Sequence, residues 1–323
     1  ARRLLTYATF AAASVLGGAL ARQRFDAVVA ISPLPTGLAA AIIATAKRAP
    51  LVFDLQDVWP ESAAIAGVMR RGTAFKAIER LEKGLYRRAA AVTVITQGFK
   101  RRLIDMGIEP AKVHFVPNGV EVGLFEGASA EGVAEAYDLP GGFRVVFAGN
   151  MGLVQDLDTV LDAAKSLPRD SDVEFVLVGD GVRRAHLESR IAAEGIRHVR
   201  MIPPQARSAI PGLMAAASAS LVCLVDRPLF AITIPSKTYE CMASARPVLC
   251  GVPGETRALV EEAGCGVAYQ PGDAGALLRA IDRVRASDPG AMGAAGRQWV
   301  REHATREMVT RQYLRVVEGV ARK

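Results

Sequence analysis

Cysteine pairs are missing from this chain of 323 residues. Its four cysteines, Cys223, Cys241, Cys250 and Cys265, fall in the last third, with no Cys-x-x-Cys spacing and no histidine pattern beside them. Neither a zinc site nor a disulfide framework is therefore expected; a reducing compartment is the default, and the cysteines read as small buried hydrophobes. Basic stretches interleaved with aromatics are also missing, so nucleic acid is not an expected partner. With 23% charged and 50% hydrophobic residues the chain is not disordered, and its length suits two mid-sized domains. Long apolar runs are scarce, with one exception. Leu4 to Ala21 carries no charge between Arg2-Arg3 and Arg22, and Ala19-Leu20-Ala21 closes it like a signal-peptide cleavage site. Its length lies at the lower limit for a membrane span. Its many Ala, Gly, Ser and Thr residues make it weakly hydrophobic, and it leads straight into the strand-like Ala27–Ile31. The preferred reading is a helix inside a domain, buried or grazing a membrane, with a signal or anchor as the alternative. The absence of an initiator Met fits a chain whose beginning lies upstream.

Charge is unevenly placed. Residues 1–122 hold 17 Lys and Arg against 9 Asp and Glu, a net +8; the remainder holds 23 against 24, a net −1, which together make the chain's +7. A basic first part implies an anionic partner there, a lipid head group or a phosphate-bearing substrate before nucleic acid.

From residue 26, short β-branched apolar runs alternate with helical periodicity. Strands are expected over 27–31, 51–54, 91–95, 113–116, 144–148, 174–178, 198–201, 219–225, 247–250 and 266–268. Helices are expected over 36–47, 73–89, 98–106, 156–166, 182–194, 207–217, 237–245, 255–263 and 273–286. Strands that are apolar throughout, separated by helices, indicate an α/β fold with parallel, doubly wound sheets covered on both faces. The irregular stretch from Pro117 to Gly142 divides the chain. Six strand runs follow it, enough for a complete doubly wound domain. Only four precede it, and no Gly-rich strand-to-helix turn comes before Asp26, so the first domain is expected to lack its opening βα units. The domains are drawn as 1–122 and 123–323, with Ala291 to Val320 forming two helices that cap the second domain or reach back to the first.

Four clusters stand at expected carboxyl ends of strands, where doubly wound sheets bind ligands. Gly149-Asn150-Met151-Gly152 follows Val145-Val146-Phe147 and lets backbone N–H groups approach a phosphate, or is an ordinary tight turn. Gly179-Asp180-Gly181 is a second such turn, with Asp180 placed to cap the next helix and glycines able to leave room for a base or sugar. Pro235-Ser236-Lys237-Thr238-Tyr239-Glu240 opens a helix, with Pro235 suited to the first turn. A phosphate there would gain the helix dipole, the Ser236 hydroxyl and the Lys237 charge, and Glu240, one turn on, could accept ribose hydroxyls. The fourth cluster, Asp54 to Ser62 (DLQDVWPES), places three carboxylates and a Trp after Leu51-Val52-Phe53. Asp57 or Glu61 could orient an acceptor hydroxyl or take its proton; the plainer alternative is a helix start decorated with acids.

In order, these clusters resemble family 4 of the retaining glycosyltransferases, in its bacterial surface-polysaccharide branch. The matching segments are DLQDVWPES (54–62), VPNGVE (116–121), FAGNMG (147–152), VGDG (178–181), PSKTYE (235–240) and Arg246-Pro247-Val248. The resemblance implies a GT-B fold, two Rossmann-like domains facing a cleft. A nucleotide-diphosphate sugar would sit in the C-terminal domain and the acceptor in the N-terminal one. It implies transfer with retained anomeric configuration, no metal ion and no cofactor beyond the donor, a diphosphate oxygen helping to deprotonate the acceptor on the same face. Backbone amides, Ser236 and Lys237 would replace a cation at the departing diphosphate. Glu240 matches the second Glu of the family's EX7E motif, while the first falls on Ile232. Gln56 stands where many members carry His, and Asn150 and Gln155 lie near the places where members often carry an Arg/Lys pair that grips the diphosphate. The family's Gly-rich acceptor loop has no counterpart here, which implies an inactive fragment.

The expected activity is a metal-independent hexosyltransferase that moves a sugar onto a lipid-linked or polysaccharide acceptor in cell-surface glycan synthesis. It would act in the cytoplasm, peripherally at the inner face of the bacterial cytoplasmic membrane, with the basic domain and the 4–21 helix docked on anionic lipid. Asp57, Lys237 and Glu240 are the expected catalytic residues. Gly149, Asn150, Gly152, Gly179, Asp180, Gly181, Pro235, Ser236, Lys237 and Glu240 are expected at the donor, and Asp54, Asp57 and Glu61 at the acceptor. The alternatives are a nucleotide-sugar epimerase of the same fold, which lacks its His–carboxylate pair since His114, His186, His198 and His303 lie outside the clusters, and a non-catalytic nucleotide-sugar-binding subunit.

Overall fold

The computed structural model describes residues 2–65, 67, 69, 70, 72–139 and 141–321. The chain forms two compact units, Ala1–Pro117 with Val309–Lys323, and Asn118–Met308. They part at the head of the segment expected to separate them.

The first unit carries a parallel sheet of β1 (Val28–Ile31), β2 (Leu51–Leu55), β3 (Ala91–Val94) and β4 (Val113–Phe115), in that order. The crossovers contain α2 (Leu34–Lys47), α3 (Glu61–Ile65), α4 (Thr73–Arg88) and α5 (Gln97–Asp105). Every residue of β2 and β3 is buried, as continuous apolar runs require, whereas the edge strand β1 buries only Ala30. Thr96 starts α5 by accepting the Phe99 N–H at 3.1 Å. The charge-free opening run lies, but for Ala21, in α1 (Arg2–Leu20), packed so closely on α2 that a Cβ on Gly18 would stand 2.8 Å from Ile43. Phe10, Leu16 and Leu20 face outward. Among the described residues no helix is long and apolar enough to cross a membrane.

The second unit has a six-stranded parallel sheet. Its strands are β5 (Phe143–Ala148), β6 (Val173–Val178), β7 (Val199–Ile202), β8 (Ala219–Cys223), β9 (Val248–Gly251) and β10 (Gly266–Ala268), ordered β10-β9-β8-β5-β6-β7. The chain winds out to β7, then returns to lay β8 on the other side of β5. That reversal opens a crevice at the carboxyl ends of β5 and β8, where a doubly wound sheet holds ligands. The connecting helices are α6 (Gly123–Glu126), α7 (Val133–Ala136), α8 (Leu157–Ser166), α9 (Arg184–Glu194), α10 (Ile210–Ala215), α11 (Ser236–Ala243), α12 (Glu255–Glu262) and α13 (Ala274–Ala286). α14 (Pro289–His303) follows, and α15 (Arg306–Val320) carries the chain into the first unit. Asp273 and Asp288 cap α13 and α14 through the Ala276 and Ala291 amides. Phe147, Phe175, Leu177, Leu221 and Leu249 fill the core with the helix stripes of α8 and α13. All four cysteines are buried and free, and burial pushes their thiols up to about 12. All ten expected strands form; the segment expected to be irregular contains α6 and α7, each a single turn.

Candidate active site

The carboxyl ends of β5 and β8 bring two of the clusters together. Gly149 leaves β5 at φ +145°, and a Cβ there would lie 3.0 Å from the Lys237 ammonium. The backbone angle favours glycine here, and the tip of the Lys237 side chain crowds the position as well. Lys237 turns inward from the first turn of α11: its Nζ sits 3.7 Å from the Phe147 ring centroid and donates to Gln155 Oε1 at 3.2 Å. The Gln155 main-chain carbonyl in turn accepts the Cys223 thiol at 2.9 Å, tying this arrangement to β8. Burial lowers the Lys237 pKa, and Cys223, Cys241 and Glu240 act in the opposite direction. Among the described residues no carboxylate lies within ion-pairing distance of it.

Lys237, Gly149 and Glu240 line a cavity of about 130 Å³ with Ala148, Ile210, Met214 and Cys241. Glu240 and Ile210 also line a larger one, about 310 Å³, whose walls include Glu121, Phe125, Gln205 and Arg207. The Gln205 amide is oriented there: its Nε2 donates to the Pro203 carbonyl at 3.0 Å, and its Oε1 accepts the Tyr137 hydroxyl at 3.1 Å. Glu121 stands in the VPNGVE segment. Gln205, Arg207 and Ile210 were not expected from the sequence; their one signal is that Pro203-Pro204-Gln205 follows β7 at its carboxyl end.

The other donor-side expectations fare differently. Pro235 occupies the position before α11 rather than its first turn, and Ser236 opens the helix with its side chain exposed. Asn150 is exposed, and Gly152 faces a separate recess of about 260 Å³ beside Asp156, Asp158 and Arg183. Asp180 does not cap α9, which begins at Arg184; its carboxylate accepts the Gly181 amide at 2.8 Å while its carbonyl accepts the Met151 amide at 2.7 Å. At Gly179 and Gly181 protein fills the space a side chain would take: a Cβ on Gly179 would overlap the Gly149 carbonyl, and one on Gly181 the Met151 backbone. These glycines let the second turn seat against the first and so set where Gly149 stands.

In the first unit, the DLQDVWPES loop leaves the carboxyl end of β2. Asp54 is buried, accepting the Thr93 hydroxyl and the Gln56 side-chain amide, each at 2.8 Å. Burial raises its pKa against those two bonds, and the Tyr313 phenol of α15, itself pushed up to about 12 by burial and by Asp54, stands beside it. Asp54 therefore fixes the strand end. Asp57 keeps an exposed surface, although the protein packed around its carboxyl raises its pKa against Ser62 and the Val58 amide. Glu61 pairs with Arg102 at 2.8 Å. Beneath the loop lies a residue the sequence did not single out. Glu82 of α4 is 4% exposed and accepts the Trp59 main-chain N–H at 3.2 Å. Burial pushes its carboxyl up to about 7, with Asp57 adding to the rise and Tyr86, the Trp59 amide and Arg102 opposing it.

Among the described residues no group of three His, Cys, Asp or Glu side chains is placed to hold a metal ion. Each histidine is engaged outside the Lys237 cavity: His186 with Asp158, His198 with Glu174, His303 against Trp299, and His114 in a first-unit recess with Lys100.

Residues 1–119 match the glycosyl transferase 4-like domain and residues 142–287 the domain of glycosyl transferases group 1; together these take in most of the chain. The chain belongs to family 4 of the glycosyltransferases, and its fold is GT-B. It is 27% identical over 252 residues to WcaI of Escherichia coli K12, named for glycosyl transfer in colanic acid biosynthesis, covering 75% of this chain and 61% of that one. It is 28% identical over 264 residues to WbjE of Pseudomonas aeruginosa, named as a glycosyltransferase, covering 78% and 64%. The chain thus spans somewhat over three-fifths of the length of these relatives. Among solved structures, Anabaena HepE in complex with UDP superposes with a TM-score of 0.79 at 18% identity, over 96% of this chain and 82% of that one.

Proposed function

We propose that the protein is a retaining glycosyltransferase of bacterial surface-polysaccharide synthesis, taking its sugar from a nucleotide-diphosphate donor held by the second unit. The observation that carries this reading is Lys237: an inward-turned cation with no acid partner among the described residues, lining with Gly149 a cavity of about 130 Å³. A buried charge of this kind is costly unless a ligand supplies its counter-charge. A diphosphate in the smaller cavity meets the Lys237 ammonium and the N-terminal amides of α11, including that of Ser236. Glu240 then accepts the ribose hydroxyls, and the base reaches the larger cavity beside Gln205 and Arg207. The solved complex of HepE with UDP and the naming of WcaI support this assignment.

In the reaction, the bond between the anomeric carbon and the diphosphate oxygen breaks as an acceptor hydroxyl adds on the same face. The acceptor proton passes to the departing diphosphate, and Lys237 offsets the charge that gathers there, so the chemistry is metal-independent. The first unit contributes the acceptor side through Asp57, for a lipid-linked or glycan acceptor at an anionic membrane surface. The engagement of all four histidines elsewhere counts against an epimerase.

The test is binding. UDP, GDP, dTDP and ADP are screened by thermal shift, and the best is titrated calorimetrically. Lys237→Ala is expected to weaken that nucleotide about tenfold to a hundredfold, ~1.5–3 kcal/mol for a charge-assisted contact. A variant that binds as tightly as the parent removes Lys237 from the site and the reading with it.

A further inference from the structure

The loop that carries Asp57 and Glu61 rests on a carboxyl group to which no role has yet been given. Glu82 projects from α4, an amphipathic helix that otherwise buries apolar or aromatic side chains, Phe75, Leu85 and Tyr86. A carboxyl placed in that stripe costs stability unless it does something. What it touches is the loop's main chain: it accepts the Trp59 N–H at 3.2 Å, midway between Asp57 and Glu61. The loop has a second anchor in Arg102 of α5, which pairs with Glu61 at 2.8 Å and attracts Glu82 electrostatically. α4 and α5 thus hold the loop through one carboxylate, one guanidinium and one backbone amide.

We propose that Glu82 is a positioning residue for the acceptor side, its ionised carboxylate gripping the Trp59 main chain and so setting where Asp57 and Glu61 stand. The grip depends on charge. A hydrogen bond from an amide to a carboxylate is stronger than one to a neutral carboxyl, so protonating Glu82 loosens the loop and ionising it tightens the loop. The charged and titratable groups facing it are Tyr86 on α4, Arg102 on α5 and Asp57 on the loop itself. The midpoint of the change falls near 7, within the range a cell visits.

The functional half of this inference rests on reading residues 54–62 as the acceptor side; the linkage between Glu82 and the loop does not, and it is measured without sugar or acceptor. The full chain carrying Trp299→Phe leaves Trp59 as its sole tryptophan. Its emission is followed from pH 5.5 to 8.5, and hydrogen exchange of the amides of residues 57–59, 61 and 62, corrected for intrinsic rate, is compared at pH 6 and 8. A single emission step near 7 is expected, with exchange about tenfold slower at the higher pH. Glu82→Gln, which preserves shape and the acceptor oxygen, is expected to abolish the step, and Glu82→Asp to keep it at a changed midpoint. Arg102→Gln removes the attraction and is expected to move the midpoint upward. A step that survives Glu82→Gln, its absence in the parent, or an unmoved midpoint in Arg102→Gln overturns the proposal. Failure of nucleotides to bind beside Lys237 would end the donor reading and leave this measurement intact.

Discussion

Burying a charge alone is unfavourable, and Lys237 and Glu82 relate to that rule in opposite ways. Burial lowers the Lys237 pKa, and the proposed diphosphate would bring the opposite charge that the described residues around it do not. Nucleotide affinity is therefore expected to fall as pH rises, beginning below the ordinary lysine range, and Lys237→Arg to move that loss to higher pH; calorimetry across pH reads both. Glu82 is a carboxyl whose folded pKa, about 7, is raised above its unfolded value of 4.5. The folded state thus holds the proton more tightly, so the contribution is full below pH 4.5 and is lost as pH rises through 7. Glu82→Gln is expected to match the parent's stability at pH 4 and exceed it at pH 8 by on the order of 3 kcal/mol, read as urea midpoints at constant m. The two residues also differ in legibility. Lys237 announces itself, since Pro-Ser-Lys reads as a helix start with a cation in its first turn. Glu82 sits in Glu79-Arg80-Leu81-Glu82-Lys83, which reads as a solvated helix face; only tertiary packing shows which of its two glutamates is buried.

At the scale of elements, the two glycine turns behave as one unit. The 179–181 turn supports the 149–152 turn from behind, and its glycines are required by backbone against backbone. Gly179→Ala combines a φ of +137° with overlap on the Gly149 carbonyl and is expected to cost roughly 2–4 kcal/mol and to weaken nucleotide binding by displacing Gly149. Gly127→Ala, at a position with open space around it, is the control and is expected to stay within about 0.5 kcal/mol in the same urea titration. All ten strands were readable because parallel strands covered on both faces are continuous β-branched runs. Their lateral order was not, because nothing local in 219–223 says that β8 returns to lie beside β5. The glycine turns were readable for a different reason, their spacing after strands; what spacing does not show is that the second turn packs backbone to backbone on the first.

For the molecule as a whole, the division into units sharpens the charge asymmetry seen along the sequence. Because residues 309–323 belong to the first unit, that unit holds 21 Lys and Arg against 9 Asp and Glu, a net +12, and the second holds 19 against 24, a net −5. The protein is expected to sediment with phosphatidylglycerol vesicles at low ionic strength and to be released at about 0.5 M salt, where screening lengths fall to a few ångströms; equal sedimentation at both salts would remove the electrostatic part of membrane docking. One further consequence comes from Ile210 and Glu240, which line both cavities of the second unit. If the base and the diphosphate lie as proposed, a residue that lines both compartments cannot be retuned for one alone: altering it to suit a different nucleobase is expected to disturb the seat of the leaving group as well. Changes of donor preference that spare turnover are then expected at side chains lining the larger compartment only, Gln205 and Arg207 among them.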